Sequence, residues 1–217
     1  RSAFDRYWPH VRHVVGKDII RFHCVIWPLM LLALGLPLPV SIVAHGWWTV
    51  DGEKMSKSKG NVVDPRRVVE EYGRYFLLRE IPFGHDGDFS EAALVGRINS
   101  DLANDLGNLL NRTLKMIQDY RGGTVPAESL REMPEARDLQ CQAQAALEGT
   151  DEAMEDFSFD EALKRIWAFI GRANKFIDET MPWRLAKEGS ADALDSVLLN
   201  LYEALRLSAL MVAPFMP

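Results

Sequence analysis

Cysteine and uninterrupted apolar sequence are both scarce in this chain. Its two cysteines, Cys24 and Cys141, are far apart and form no CxxC pair, so the sequence favours neither a disulfide framework nor a zinc site and fits a reducing cytoplasm. The most apolar run, from Cys24 to Leu38, is interrupted by Pro28 and Pro37 and is shorter than the roughly 20 residues that span a bilayer. No signal segment is recognisable at the N-terminus. We therefore expect a cytoplasmic protein with no membrane partner.

Positive charge is scarce in the second half of the chain. The net charge is −6; residues 1–89 carry 12 Lys and Arg against 10 Asp and Glu, whereas residues 90–217 carry 13 against 21. A protein that binds nucleic acid through a broad electrostatic field is expected to be basic. Any contact between the second half and RNA must therefore depend on a few placed side chains.

The two ends of the chain look like cuts through a longer protein. No methionine precedes Arg1, and the chain stops at Pro217, directly after a helical pattern. The composition, 47% hydrophobic and 26% charged, is that of an ordinary globular protein. A length of 217 residues allows one large domain or two modest ones.

Residues 16–35 predict a buried helix. Ile19, His23 and Trp27 recur at i, i+4 and i+8 and therefore share one face. Pro28 is expected to kink the helix or remove one of its hydrogen bonds. Taken alone, the histidine and the tryptophan on this face are more often core residues than ligand contacts.

Residues 40–45 predict a short β-branched strand of the kind found in parallel sheets. A helix followed by such a strand is typical of a doubly wound fold, whose ligands lie beyond the carboxyl ends of the strands. His45 and Gly46 are therefore placed where a ligand can bind.

A basic loop follows this strand. The Asp51-Gly52 pair predicts a β-hairpin over residues 47–54, and Asp64 followed by Pro65 predicts the start of a helix. Between these elements the lysines and serines are Lys54, Ser56, Lys57, Ser58 and Lys59. Such side chains can hold a polyanion such as a triphosphate, although a charged run is more often only solvated surface.

Residues 90–217 show helical periodicity without a strand signal, which predicts an antiparallel helix bundle. Residues 74–89, a short helix and a Gly- and Asp-rich turn, form the boundary before it. The third bundle helix has a capping-box sequence, Ser158 with Glu161, and ends at Met181-Pro182. The four predicted helices extend approximately over residues 90–121, 134–157, 158–181 and 190–212.

Three bundle residues are predicted to lie off the core. Asn108 and Arg112 are i, i+4 neighbours opposite the leucine face of the first helix, so they should be exposed and close together. Trp183 follows a helix end, where a tryptophan can be exposed. The alternative is a solvated polar face and a tryptophan packed under a loop. The predicted leucine face consists of Leu102, Leu106, Leu109, Leu110, Thr113, Leu114 and Ile117.

The basic loop also carries a family resemblance. Residues 54–58 spell KMSKS, the signature loop of class I aminoacyl-tRNA synthetases, and the flanks HGWWTVDGE and KGNVVDP resemble the methionine-tRNA synthetase family. Further segments along the chain also match this family: GKDI, GLPLP, NLLNR and DETMPWRLAK. The resemblance implies the end of a Rossmann-type catalytic domain (1–46), the KMSKS loop with a connecting region (47–89) and a helical anticodon-binding domain (90–217).

The resemblance implies an enzyme that activates methionine with ATP and Mg²⁺ and transfers it to the 3′-terminal adenosine of tRNA(Met). Charge moves onto the departing pyrophosphate in the first step, and fixed positive charge stabilises it. By resemblance, Lys57 supplies this charge, Lys54 assists, and Ser56 and Ser58 donate to phosphate oxygens.

The resemblance also assigns the adenylate site. Asp18 is expected to face the ribose, and the main-chain groups of Trp47 and Trp48 to hold the adenine, beside His45 and Gly46.

The methionine pocket is expected to be lined by Ile19, His23 and Trp27. An aromatic wall suits a thioether, because sulfur–ring contacts contribute about 0.3 to 1.5 kcal/mol.

In the bundle, the resemblance implies recognition of a CAU anticodon. Asn108 and Arg112 are expected to hydrogen-bond its first base, a cytosine, and Trp183 to stack on it. Single-stranded bases are read by stacking and edge hydrogen bonds, which is compatible with the acidic second half.

Two features of the family are missing from these residues: the His-Ile-Gly-His type signature and the zinc-bearing insertion. Both normally precede the segment that matches Arg1. We therefore expect a partial enzyme that is inactive alone and contains no metal site.

Two rival interpretations remain. A leucine, valine, isoleucine or cysteine synthetase shares the loop and a helical anticodon domain, and binding of a CAU stem-loop would separate these from the methionine enzyme. A non-catalytic tRNA-binding module would instead have a native reading frame that begins near Arg1.

Overall fold

The chain forms an α/β unit and an all-helical unit, as predicted. A computed structural model describes residues 3–50, 52–55, 60–72, 74–127 and 133–217. One compact unit comprises residues 1–64 and 81–90, and the other comprises residues 65–80 and 91–217. Residues 65–80, which we assigned to a connecting region, belong to the helical unit. The division into functional domains at residues 46 and 89 remains a prediction.

The first unit contains a parallel pair of strands joined by helical segments. Strand β1 (Arg12–Gly16) pairs with β2 (Ser41–His45), with Arg12 opposite Ser41 and Gly16 opposite His45. This β-helix-β connection belongs to the predicted doubly wound fold. Strand β2 was predicted to within one residue, whereas β1 was not predicted. The helical segments of this unit are α1 (Ala3–Tyr7), 3₁₀-helices at Trp8–His10 and Lys17–Ile19, a π-helix at Phe22–Ile26, and α2 (Trp27–Ala33).

A three-stranded sheet carries the start of the basic loop. Strand β3 (Trp48–Val50) pairs antiparallel with β4 (Glu53–Lys54), and Gly52, with φ of 72°, lies in the turn. The predicted hairpin is therefore confirmed. Strand β5 (Gly87–Phe89) pairs in parallel with the other edge of β3. It lies within the segment that we predicted to be only a turn.

The helix predicted over residues 16–35 is neither continuous nor buried. It divides into the 3₁₀, π and α segments, and the change from π to α occurs beside Pro28, whose missing N–H is tolerated in the first turn of α2. Leu31 is the buried residue of α2, whereas Leu29 and Leu32 are 61% and 60% exposed. A two-stranded sheet offers too little apolar surface to cover all sides of such a helix.

The second unit is a helix bundle, as predicted. The break at Met181 is confirmed, because this residue adopts φ of 45° and ends a helix. The helix predicted from residue 90 changes type within its length, and a short helix after Met181 was not predicted. The helices are α3 (Pro65–Tyr72), α4 (Tyr75–Arg79), α5 (Glu91–Arg97), a π-helix (Ile98–Leu106), α6 (Gly107–Arg121), α7 (Pro134–Glu155), α8 (Phe159–Thr180), α9 (Pro182–Lys187) and α10 (Ala191–Val212).

Helix α8 lies at the centre of the bundle and packs against α7, α10, α4, α6 and the π-helix. Its sequence repeats apolar residues at helical spacing, and the predicted stripe is buried throughout, at 0–2% exposure. Burying such residues is the main stabilising contribution to a bundle of this kind. The stripe consists of Ala162, Ile166, Phe169, Ile170, Ala173, Phe176 and Ile177.

Two predicted details of the bundle are wrong. Leu110 and Leu114 are 46% and 51% exposed, because the core face of α6 is narrower than the leucine pattern suggests. Ser158 precedes α8 but makes no side-chain capping bond; its carbonyl oxygen accepts from the N–H of Ala162, and Glu161 pairs with Lys164 instead of completing the box.

Among the described residues, no helix combines the length and the apolar character needed to cross a membrane.

Replacing a core aromatic of α8 should destabilise the bundle strongly. Phe176 is fully buried, so Phe176→Ala is expected to lower the free energy of unfolding by about 3 to 5 kcal/mol through lost burial and a residual cavity. Urea unfolding followed by circular dichroism at 222 nm measures this change. Leu114→Ala, at an exposed position of α6, is the control and should change the midpoint little; equal effects of the two substitutions would contradict the assigned core.

Candidate functional site

An aromatic cleft lies beside β1 in the first unit. Its volume is about 410 Å³, a size suited to a small ligand. Two of the three predicted pocket residues, His23 and Trp27, line it, but Ile19 does not. The lining residues are His13, Phe22, His23, Ile26, Trp27 and Met30.

Hydrogen bonds fix the rings of this cleft. The indole Nε1 of Trp27 donates to Nε2 of His13 over 3.1 Å. This contact holds the imidazole of His13 against the indole of Trp27. His23 Nδ1 lies 3.1 Å from the carbonyl oxygen of Ile19, so Ile19 contributes to the site by orienting His23.

Sequence reasoning missed His13 because it missed β1. The signal was the β-branched pair in RHVVG, which pairs in register with SIVAH and places His13 opposite Ile42. If the alternating pattern of a strand had been recognised just before the GKDI sequence, His13 would have been predicted beside the methionine pocket.

A tryptophan between two lysines forms the start of the basic loop. The ammonium groups of Lys17 and Lys54 lie 4.4 Å and 4.2 Å from the ring centroid of Trp47, within the range of cation–π attraction. The same indole ring directs Nε1 toward Oδ1 of Asp18, at 3.5 Å.

Asp86 orients this group and was not predicted. Its carboxylate accepts from the ammonium group of Lys17 and, over 2.8 Å, from the main-chain N–H of Trp47. The hydrogen bond from Lys17 and that from the Trp47 N–H lower the pKa of Asp86 below its ordinary value. The main-chain N–H of Trp47 is therefore already hydrogen-bonded. The carbonyl oxygen of Trp47 accepts from the N–H of Gly87 over 2.9 Å, so one lone pair of this oxygen remains for a ligand.

Gly46 permits a close approach of two chain segments. A Cβ at this position would lie 2.0 Å from the carbonyl oxygen of His85, so only glycine fits. His45, the last residue of β2, has Nδ1 2.9 Å from the carbonyl oxygen of Gly46. His45 therefore lies at the carboxyl end of β2 and Gly46 directly beyond it, the edge at which ligands bind in a doubly wound fold.

Three of the four predicted catalytic residues, Ser56, Lys57 and Ser58, lie outside the described residues. Lys54 is described and ends β4. Its carbonyl oxygen lies 3.4 Å from the side-chain Nδ2 of Asn61, which joins the two flanks of the loop.

In the helical unit, Asn108 and Arg112 face helix α8. We predicted an exposed pair opposite the core; Asn108 is exposed, whereas Arg112 is only partly exposed. Asn108 is exposed, but its Nδ2 lies 3.3 Å from Oδ1 of Asn174, and the guanidinium group of Arg112, which is 29% exposed, donates to Asp178 over 2.5 Å. Both side chains are therefore held by partners on α8 rather than free in solvent.

Asn174 is a further member of this group and was missed by sequence reasoning. Its Nδ2 donates to the carbonyl oxygens of Asp105 and Ile170 over 3.0 Å and 3.3 Å. No local motif identifies it, although it lies one helical turn before Asp178.

Trp183 is 49% exposed, as predicted. It lies in α9, directly after the buried Pro182. A half-exposed indole in a short, fixed helix can stack on a planar ligand without reordering of the main chain.

A buried carboxylate connects α4 with the π-helix. Asp101 is 6% exposed and accepts from the hydroxyl group of Tyr75 over 2.6 Å. Its main-chain oxygen accepts from Nε1 of Trp167 in α8 over 3.1 Å, while Arg79 and Arg97 lie within 4 Å of its carboxylate. Burial and the neighbouring carboxylate raise the pKa of Tyr75, so this phenol remains a donor at all ordinary pH values.

Family models match both parts of the chain. A model described as tRNA synthetases class I (M) matches residues 1–114, and a model described as the anticodon-binding domain of tRNA ligase matches residues 137–217.

Curated relatives and solved structures match the whole chain. The methionine–tRNA ligases of Caldanaerobacter subterraneus and Fusobacterium nucleatum are 55% and 52% identical over 100% of this chain. The chain spans 34% and 35% of those proteins. The structure of Mycobacterium tuberculosis methionyl-tRNA synthetase bound by methionyl-adenylate is 42% identical, with a TM-score of 0.92, over 100% of this chain and 44% of that one. The chain therefore belongs to the methionine group of the class I tRNA synthetases.

Proposed function

We propose that the full-length protein activates methionine with ATP and transfers it from methionyl-adenylate to the 3′-terminal adenosine of tRNA(Met). One observation carries this proposal: the same chain contains the KMSKS sequence, an aromatic cleft in its first unit, and Asn108, Arg112 and Trp183 in its helical unit. The family membership supports it, because relatives over the whole chain are methionine–tRNA ligases.

Methionine would occupy the cleft formed by His13, His23 and Trp27. The walls are aromatic and imidazole rings held by hydrogen bonds, so a thioether can contact ring edges without a rearrangement of the site. One methylene in such a pocket changes binding by only about 1 to 3 kcal/mol. Discrimination against leucine or isoleucine would therefore depend on the fixed shape of the cleft.

ATP would bind between the carboxyl end of β2 and the basic loop. We assign Asp18 to the ribose, and the main chain at Trp47 and Trp48 to the adenine, beside His45 and Gly46. Mg²⁺ would arrive with the ATP phosphates as part of the substrate.

The lysines of the loop would stabilise charge on the departing pyrophosphate. Lys54 is already held over the ring of Trp47 at 4.2 Å, at one end of the signature, and we assign the principal role to Lys57, with Ser56 and Ser58 as donors. No proton transfer is required of these residues; they position the phosphates and offset developing negative charge.

The bundle would read the CAU anticodon of tRNA(Met). Trp183 offers an exposed indole for stacking, and Asn108 and Arg112 offer an amide and a guanidinium group for the edge of the first anticodon base. Such contacts need no broad positive field. We place this reaction in the cytoplasm, with methionine, ATP and tRNA as partners.

Removing the principal lysine should abolish activation but not RNA binding. In the full-length protein, Lys57→Ala is expected to lower methionine-dependent ATP–pyrophosphate exchange by about 10²-fold or more, because one charge contact to the leaving group is lost. Lys187→Ala, in helix α9, is a control for loss of one lysine charge elsewhere. A variant that loses tRNA affinity instead would show that the loop contacts RNA.

Removing the exposed tryptophan should have the opposite effect. Trp183→Ala is expected to reduce kcat/KM for tRNA by about 10- to 100-fold, because base stacking contributes about 1 to 3 kcal/mol, while pyrophosphate exchange without tRNA stays within about two-fold. Trp183→Phe keeps an aromatic face and should recover part of the loss. Unchanged aminoacylation by Trp183→Ala would reject the anticodon assignment.

A further inference from the structure

The amide group of Asn174 has only one orientation that satisfies its surroundings. The side chain lies between the carbonyl oxygens of Asp105 and Ile170 on one side and the amide of Asn108 on the other. Carbonyl oxygens only accept hydrogen bonds, so the group that faces them must be the NH₂. Oδ1 of Asn174 is therefore fixed on the side of Asn108.

This orientation determines the orientation of a second amide. Because Oδ1 of Asn174 only accepts, Asn108 must present its NH₂ to it, over 3.3 Å. The other end of the exposed Asn108 amide, Oδ1, is then an acceptor directed away from Asn174. Rotation of the Asn108 amide by half a turn would place two oxygens against each other and cost the hydrogen bond.

The neighbouring Arg112 completes a pattern of one acceptor beside one donor. Its guanidinium group can only donate, and Asp178 holds it from the α8 side. Cytosine presents an N4 amino donor with acceptors beside it, whereas uracil presents an oxygen at position 4. An acceptor fixed at Asn108 therefore matches cytosine and opposes uracil.

We infer that Asn174 is a specificity-determining residue, which fixes the Asn108 amide so that its oxygen accepts from the N4 amino group of the first anticodon base. This inference rests on the proposed function, since it assumes that Asn108 contacts that base. Asn174 itself does not touch RNA; it is a positioning residue that acts through Asn108.

The test compares the affinities of two RNA probes for variants of the full-length protein. The probes are fluorescently labelled anticodon stem-loops that carry CAU and UAU, and fluorescence anisotropy gives their dissociation constants. Asn174→Leu leaves Asn108 free to turn its NH₂ toward the base. We expect the preference for CAU over UAU to fall by about 10-fold, because one fixed hydrogen bond of base discrimination is lost.

The chain offers a matched control at Asn200. Its Nδ2 donates to the carbonyl oxygen of Ser196, four residues earlier in α10, over 2.8 Å, and its Oδ1 accepts from the amide of Gln140 over 3.0 Å. Asn200→Leu therefore removes counterparts of the Asn174 bonds to Ile170 and from Asn108, whereas the bond of Asn174 to Asp105 has no counterpart. It should lower the thermal midpoint by a similar or somewhat smaller amount than Asn174→Leu while the preference for CAU is retained.

A second variant separates positioning from structural damage. In the Asn174→Leu background, Asn108→Asp presents a carboxylate oxygen to the base whichever way the side chain is turned. The preference for CAU should therefore return, even if the overall affinity is lower. Asn174→Ala should behave as Asn174→Leu does.

Two results would overturn the inference: an unchanged preference in Asn174→Leu, or an equal loss of preference in Asn200→Leu. Failure of the proposed function has a different signature. In that case the unsubstituted protein would show no preference for CAU, and Asn108→Ala would leave binding unchanged.

Discussion

The burial of helix α8 is the constraint on which the helical unit depends. Its apolar stripe is fully enclosed by the neighbouring helices, which fixes both the position and the rotation of the helix. A helix that cannot rotate also fixes its polar edge, where Asn174 and Asp178 hold Asn108 and Arg112. Hydrophobic packing on one side of α8 thus determines hydrogen-bond geometry on the other, so the RNA site that we propose there would need few charges of its own.

In the first unit, polar contacts hold the candidate ligand site. These contacts join Asp86, Lys17 and the main chain of Trp47. Because the pKa of Asp86 is lowered in the folded state, its contacts stabilise the fold fully at pH values above the ordinary pKa of an aspartate. This stabilisation is lost as the pH falls through the lower, folded-state pKa. These contacts are exposed, so their strength depends on salt.

Local patterns predicted most of the elements. The hairpin at Gly52, strand β2, the break at Met181 and the long helices follow from turn chemistry and periodicity, and the KMSKS sequence and its flanks identified the family. Contacts between residues far apart in the chain could not be predicted from local patterns. Strand β5, Asp86 and Asn174 act through partners 39 to 69 residues away in the chain, and the three-residue strand β5 has no repeat to reveal it. The burial of residues 16–35 was predicted wrongly because periodicity does not show how much surface a neighbouring sheet can cover.

The central claim is that the bundle reads a CAU anticodon through Trp183, and ¹⁹F NMR tests it most directly. The full-length protein is labelled with 5-fluorotryptophan, and the resonance of Trp183, 49% exposed in this structure, is assigned with Trp183→Phe. Stacking changes the ring environment, so we predict that this resonance shifts on addition of a CAU stem-loop and stays in place with a GAU stem-loop. A Trp183 resonance that does not respond to CAU, or responds equally to both RNAs, would contradict the account.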